Sequence, residues 1–230
     1  PVGSALAPGG RILVVRNQDA FEAVHGFGLP VIGEFQTESA LSNSGERLTL
    51  IDAEGSILID FNYGDDPPWP ESTDGDGFSL VLSNPLSNPD HGSHTSWRSS
   101  RSIDGNPATD DLVTFAGAPS DDRDGDGIPA LVEFVLGSSD VRGNRLSDFF
   151  AFNPTVDGET ELLLAFSLAV RNLNVPAIEF SDDLESWAQI PAAPVFDEYL
   201  PGGRVRYRWL LPAPQPASRY FRIKAIQTAP

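Results

Sequence analysis

The chain has 230 residues, and its 33 acidic against 15 basic side chains leave a net charge of −18. That balance disfavours general binding to nucleic acid or anionic membranes, where clustered cations supply the affinity. The 23 Leu, 11 Ile, 15 Val and 14 Phe suffice for a sizeable core, and 21 Gly with 20 Pro favour short strands and turns over a helical bundle.

In chain order, Arg11 to Val15 is β-branched and follows Gly9-Gly10, which predicts a strand. Asn17 to Val24 reads as a short helix capped by Asn17 or Asp19. Glu46 to Asp52 alternates Leu48 and Leu50 against Arg47, Thr49 and Ile51. Ala53-Glu54-Gly55 supplies a turn, and Ser56 to Tyr63 returns with Ile57, Ile59 and Phe61 on one face, so a hairpin is expected. Another strand, Phe78 to Leu82, follows the Asp74-Gly-Asp-Gly77 turn. Residues 109–145 hold eight acids and three bases between Pro- and Gly-bearing flanks and read as a junction. Beyond it, strands are expected at Glu161 to Val170, Ala177 to Phe180, Val205 to Leu211 and Tyr220 to Ile226. In the third of these, Val205, Tyr207 and Trp209 face away from Arg204, Arg206 and Arg208, the pattern of an antiparallel strand with one wet face.

Cysteine is absent, which excludes disulfides, thiolate metal sites and a catalytic thiol. No apolar run approaches the ~18 residues of a spanning helix, and the first residues lack a signal-peptide pattern. Methionine is absent, position 1 included, which predicts a processed or excised piece of a longer protein whose targeting signal lies upstream.

Several short motifs fall in a recognisable order: Asn17 with Ala20-Phe21, Val31-Ile-Gly33-Glu-Phe35, Leu41-Ser-Asn-Ser-Gly-Glu46 and Leu48-Thr-Leu50. They continue through Gly55, Tyr63-Gly-Asp-Asp66, Pro68-Trp-Pro70, Asp74-Gly-Asp-Gly77, Ser79-Leu80, Trp97-Arg-Ser99 and Gly105-Asn-Pro107. With these, residues 10–108 resemble the bacterial lamin-tail domain, an immunoglobulin-like β-sandwich. The match covers the latter two-thirds of the family pattern, without its opening strands. The resemblance therefore implies an open sheet edge near residues 10–16, to be covered by an upstream part of the polypeptide or by another chain. Residues 146–230, through Glu179-Phe-Ser-Asp-Asp-Leu184, Ser186-Trp187 and Arg219-Tyr-Phe-Arg222, are similar to C-terminal β modules of large secreted bacterial proteins.

One segment carries a chemical pattern in full. Asp122-Arg-Asp124-Gly-Asp126-Gly127-Ile-Pro-Ala-Leu-Val-Glu133 fits the Ca²⁺ loop D-x-D-x-D-G-x₅-E. Calcium takes six to eight oxygens, and carboxylates at alternate loop positions converge as the loop winds. Gly127 permits the sharp turn, the Ile128 carbonyl supplies the seventh position, and Glu133 offers both oxygens at the twelfth. Ala130 at position nine leaves a vertex to water. Ala116 to Ser120, ahead of the loop, is a poor helix. Pro129 to Leu136, behind it, is a good one with Gly137 as its stop, and Leu131, Val132, Val135 and Leu136 should pack on a β module. This half-hand is similar to dockerin and thrombospondin type 3 calcium loops, which implies a structural role in extracellular calcium. The flexible loop is expected to take Mg²⁺ poorly, because that ion demands a tight octahedron.

Other features favour ordinary structural roles. Asp90, His91 and His94 lack a fourth ligand and read as a solvated loop. Trp69 and Trp97 suit packing better than sugar stacking. The three arginines of the Val205 strand are expected to pair with acids of the same module, Glu179, Asp182, Asp183 and Glu185 among them. No G-x-S-x-G, H-E-x-x-H or phosphate-binding Gly-rich loop occurs.

The expected architecture is mainly β. It comprises an immunoglobulin-like (lamin-tail) sandwich portion in residues 1–108, a calcium-binding junction with a short helix in 109–145, and a smaller β-sandwich in 146–230. The expected function is a non-catalytic, calcium-stabilised structural or attachment region of a larger secreted or cell-surface protein. The alternatives are a glycan-binding module and an accessory fragment of an exported hydrolase with its catalytic domain upstream. The expected partners are the upstream polypeptide or another chain, and an extracellular glycan or surface protein, with no nucleic acid and no membrane span.

Overall fold

A computed structural model describes residues 5–35, 40–155, 157–171, 176–211 and 219–225. The fold is mainly β, with fifteen strands and two α-helices among the described residues. The chain divides into two compact units, residues 1–111 and 112–230.

In the first unit β1 (Leu13–Val15) leads into α1 (Gln18–His25) and β2 (Val31–Glu34). The Asn17 carboxamide oxygen accepts a hydrogen bond from the Ala20 amide at 2.7 Å, which satisfies one of the free N–H groups of the first helical turn. Strands β1 and β2 run parallel, an arrangement that the intervening crossover helix allows. The antiparallel hairpin of β3 (Glu46–Ile51) and β4 (Ile57–Tyr63) places Leu48 opposite Phe61. Its turn is held by Asp52, whose Oδ1 accepts from the amides of Glu54 and Ser56, while Gly55 takes a φ of 87°. A third pair joins β5 (Leu80–Leu82) to β6 (Trp97–Ser99). Among the described residues these strands form three separate two-stranded pairs. Leu50, Ile51, Ile57 and Leu58 at the hairpin end are exposed, although the alternation sets Leu50 with Leu48 and Ile57 with Ile59 and Phe61 on the apolar faces. What is deeply buried instead is polar: the Arg98 guanidinium, 0% exposed, meets the Asp111 carboxylate. Asp111, which the sequence places in the junction, thus belongs with the first unit.

The second unit opens with β7 (Val113–Thr114), then the acidic loop and α2 (Ala130–Leu136). The strands β8 (Phe150–Pro154), β9 (Thr160–Ser167), β10 (Val170–Arg171), β11 (Ala177–Ser181) and β12 (Ala188–Gln189) follow. The last are β13 (Val195–Leu200), β14 (Arg204–Leu211) and β15 (Tyr220–Lys224). Ile226, at the end of the last expected strand, lies outside the described residues. One antiparallel sheet has the order β13-β14-β9-β8, another the order β12-β11-β15, and β10 pairs in parallel with β7. Both antiparallel sheets feed one core. Leu162, Leu164 and Phe166 of β9 and Val205, Trp209 and Leu211 of β14 meet Ile178 of β11 and Ile223 of β15 there. Ile128, Val132, Val135 and Leu136 close the cluster from the loop and α2.

Arg206 and Arg208 of β14 pair with acids other than the expected ones, while Arg204 Nε donates to the Pro201 carbonyl at 3.5 Å. Arg206 meets Asp197 at 2.6 Å and Glu198 at 2.9 Å, and Arg208 meets Glu161 at 3.4 Å. Glu179 instead takes Arg222 and Lys224, and Asp182 takes Arg219. The reason is register: β14 lies between β13 and β9, so Arg206 and Arg208 face acids of those strands, whereas Glu179 sits opposite Arg222 on β15.

Candidate metal centre

The acidic loop is shaped by its own carboxylates. Asp122 Oδ1 accepts from the amides of Gly125 and Asp126 at 2.9 and 3.2 Å, and its Oδ2 from Gly127 at 3.1 Å. Asp124 Oδ1 accepts from the Asp126 amide, and Asp126 Oδ1 from the Ile128 amide at 2.8 Å. Gly125 and Gly127 adopt φ values of 75° and 87°, a region that favours glycine and lets the loop wind tightly enough for these bonds. One carboxylate oxygen from each of Asp122, Asp124 and Asp126 lies within 4.8 Å of the others. Among the described residues this is the only such group of three.

The loop is tethered at both ends. The Ala130 amide donates to the Asp121 carbonyl at 2.7 Å, and the Leu131 amide to the Pro119 carbonyl at 3.2 Å. Ile128, proposed from the sequence for its carbonyl, buries its side chain in the core at 3% exposure. It therefore pins the loop to the second unit as well. Pro129 precedes α2 as its cap, and Gly137 ends it in the left-handed conformation with φ 77°.

Glu133, the twelfth position of the loop, is not among the oxygens so gathered. Six of the seven residues of α2 are buried, and the Glu133 side chain is carried into the interior with them, at 0% exposure. Its Oε1 accepts from Ser138 Oγ at 3.2 Å and from Asn144 Nδ2 at 3.1 Å, while Oε2 has no hydrogen-bond partner. Asp124 Oδ2 is buried and unpartnered in the same way. Burial pushes the Glu133 carboxyl above its ordinary range, the bonds from Ser138 and Asn144 oppose this, and the charges of Asp124 and Asp126 add to it. Asn144 ties Glu133 to the cluster, since its backbone amide donates to Asp126 Oδ2 at 2.6 Å.

A buried carboxylate oxygen without a donor is costly, and four neighbouring acids compound the cost by repulsion. A hard divalent cation answers both, because it supplies charge and takes oxygen ligands. Asp122, Asp124, Asp126 and Glu133 are all oxygen donors, with neither histidine nor cysteine among them, which suits Ca²⁺ or Mg²⁺ rather than zinc.

Sequence reasoning missed the far side of the centre. Asp140 Oδ1 accepts from the Arg123 amide at 3.0 Å and its carboxylate pairs with the Arg123 guanidinium. With Ser138 and Asn144, it makes residues 138–144 a clasp around the loop. No short-range spacing announces Asn144, eleven residues after Glu133. The histidine candidate has an ordinary explanation: the His91 ring lies 5.3 Å from Phe61 and edge-on to Trp97, and Asp90 caps the Gly92 amide. A scan against protein-family models and searches of curated proteins and of solved structures found no match to the chain.

Proposed function

We propose that the chain is a non-catalytic, calcium-stabilised structural or attachment region of a larger secreted or cell-surface protein. The observation that carries this is the gathering of one oxygen each from Asp122, Asp124 and Asp126 within 4.8 Å of one another, with Asp124 Oδ2 buried and unpartnered, as Glu133 Oε2 is in α2. The proposed ligands are Asp122, Asp124, Asp126, the Ile128 carbonyl and Glu133. Calcium supplies the charge that lets the acids stay together and orders residues 119–133 within the second unit. The lamin-tail-like sandwich remains the proposal for the first unit. Its support is the presence of short paired strands whose outer edges are unpaired among the described residues and of an exposed apolar hairpin end, which further strands would cover.

The test is calorimetric. A chelator-stripped chain titrated with CaCl₂ should release or absorb heat with a Kd of about 10⁻⁴–10⁻³ M, as extracellular-type loops do. It should also lose protease sensitivity at residues 119–133. No heat and no melting shift up to ~10 mM, well above that range, overturns the proposal.

A second reading, glycan binding, is favoured by one feature of the first unit. A cavity of about 430 Å³ is lined by Phe61, Tyr63, Phe78 and Trp97, with Asp65 and Asp74 among its polar groups. Apolar walls with a few polar groups suit a small ligand. A glycan array followed by Trp97→Ala tests it, and absence of any array signal sets it aside.

A further inference from the structure

We propose that the cavity of the first unit binds a small organic cation of the quaternary ammonium class, with aromatic side chains against its methylated nitrogen and Asp65 and Asp74 matching its charge. The inference is independent of the calcium reading, and it gives the cavity a ligand of a different class from a glycan. At about 430 Å³ the cavity is of the size that small molecules occupy. Phe61 and Tyr63 of β4 and Trp97 of β6 line it, together with Phe78 ahead of β5. Trp97 is fixed by its Nε1, which donates to the His91 carbonyl at 2.9 Å, and by the Phe61 ring, stacked at 5.6 Å and 26°. Tyr63 is fixed by its hydroxyl, which donates to the Ser42 carbonyl at 2.7 Å. The polar hydrogens of both are committed within the protein, so these side chains offer the cavity aromatic surface.

The charge around the rings is of one sign. Asp65 and Asp74 line the cavity, and among the described residues no arginine, lysine or histidine does. From Tyr63 to Leu80 the chain carries Asp65, Asp66, Glu71, Asp74 and Asp76 and no base. Burial foremost raises the Tyr63 hydroxyl above its ordinary range, and the charges of Glu46 and Asp65 add to it, so the field at that wall is negative. A neutral sugar gains nothing from such a field, and an anion is repelled. A hard inorganic cation needs converging oxygens in place of its water, and among the described residues three acids converge in that way only at Asp122, Asp124 and Asp126. A quaternary ammonium carries its charge beneath methyl groups. Aromatic rings attract it through their quadrupole, and carboxylates attract it at longer range.

Choline is the probe. The whole chain is titrated at constant ionic strength with choline chloride and with its neutral isostere, in which a carbon replaces the nitrogen, and binding is read by tryptophan fluorescence and calorimetry. Choline should bind with a Kd of about 10⁻⁴–10⁻³ M, the scale for so small a ligand, and the isostere about fivefold more weakly or worse. Phosphocholine, the lipid-headgroup form of the same cation, should bind more weakly than choline because its phosphate meets the two acids. Trp97→Leu should weaken choline binding about fivefold or more. Asp65→Asn and Asp74→Asn should each weaken it about two- to fivefold and leave the isostere unchanged, a split that a change of cavity shape would not produce. The two asparagine variants keep the test open if Trp97→Leu fails to fold. No saturable choline binding up to ~20 mM, well above the expected Kd, overturns the proposal. So does an isostere that binds as well as choline, phosphocholine binding the tighter, or an affinity unchanged in the folded variants. A glycan-array signal that Trp97→Ala abolishes, without choline binding, assigns the cavity to sugar instead and overturns the proposal in a way distinct from failure of the calcium titration.

Discussion

Replacing Glu133 by glutamine should change the sign of its effect on stability according to whether calcium is present. Without metal, the buried Oε2 has no donor, and the charges of Asp124 and Asp126 bear on the carboxylate. An unsatisfied buried polar atom costs about 1–3 kcal/mol, and a carboxamide both removes the charge and brings a donor, so Glu133→Gln should stabilise the metal-free chain by ~1 kcal/mol. With calcium at ~2 mM and a Kd of ~10⁻⁴ M, binding stabilises the wild type by about 1.8 kcal/mol. The variant, lacking that ligand charge, gains little. For a unit of this size 1 kcal/mol corresponds to about 4 °C in melting temperature. In chelator the variant should therefore melt ~4 °C above the wild type, and in ~2 mM calcium ~3 °C below it. Differential scanning calorimetry of both chains in the two buffers reads this crossing of the melting order. A variant that is the less stable in chelator, or that keeps most of the calcium shift, would refute the reasoning. In either case Glu133 would be a hydrogen-bonded structural acid and no ligand.

In the first unit, Asp111→Ala leaves the fully buried Arg98 without its carboxylate, and breaking one partner out of such a pair costs about 3–5 kcal/mol. Urea unfolding followed by hydrogen exchange at residues 97–101 should show this, and a loss under ~1 kcal/mol would mean that water reaches the guanidinium. Leu136→Ala opens a cavity at a residue with 0% exposure where α2 joins the core, with an expected loss of about 2–5 kcal/mol in denaturant melts of the second unit. Asp183 accepts from the amides of Glu185 and Ser186 and from Ser181 Oγ, and the backbone bonds foremost hold its carboxyl down at about 2. Because the folded value lies below the unfolded one, this turn is fully supported above the ordinary aspartate range and loses its support as pH falls through about 2. An NMR titration of the Asp183 carboxyl carbon checks it, and a midpoint near the ordinary 3.8 would contradict the bonding.

What could be read from the residues alone is what neighbours in sequence decide. The Asn17 cap, the Asp52–Gly55 turn, the helix ahead of Gly137 and the alternate aspartates at 122, 124 and 126 depend on backbone geometry within a few residues, and such patterns are written in short spacings. The alternation of β14 was likewise enough to separate Val205 and Trp209 from the arginines. Tertiary structure decided the rest, because it turns on which distant segments meet. Strand register, invisible in one strand, gave Arg206 and Arg208 their partners on β13 and β9. The exposed end of the β3–β4 hairpin follows from having no layer over it among the described residues, a matter that its own alternation does not encode. At the acidic loop the spacing announced the carboxylates, but the burial of Glu133 came from the packing of α2, and the clasp came from the chain turning back after Gly137 to set Asn144 against Asp126 and Glu133. Local spacing can nominate oxygens for a cation; only the packed chain determines which of them are left without another partner.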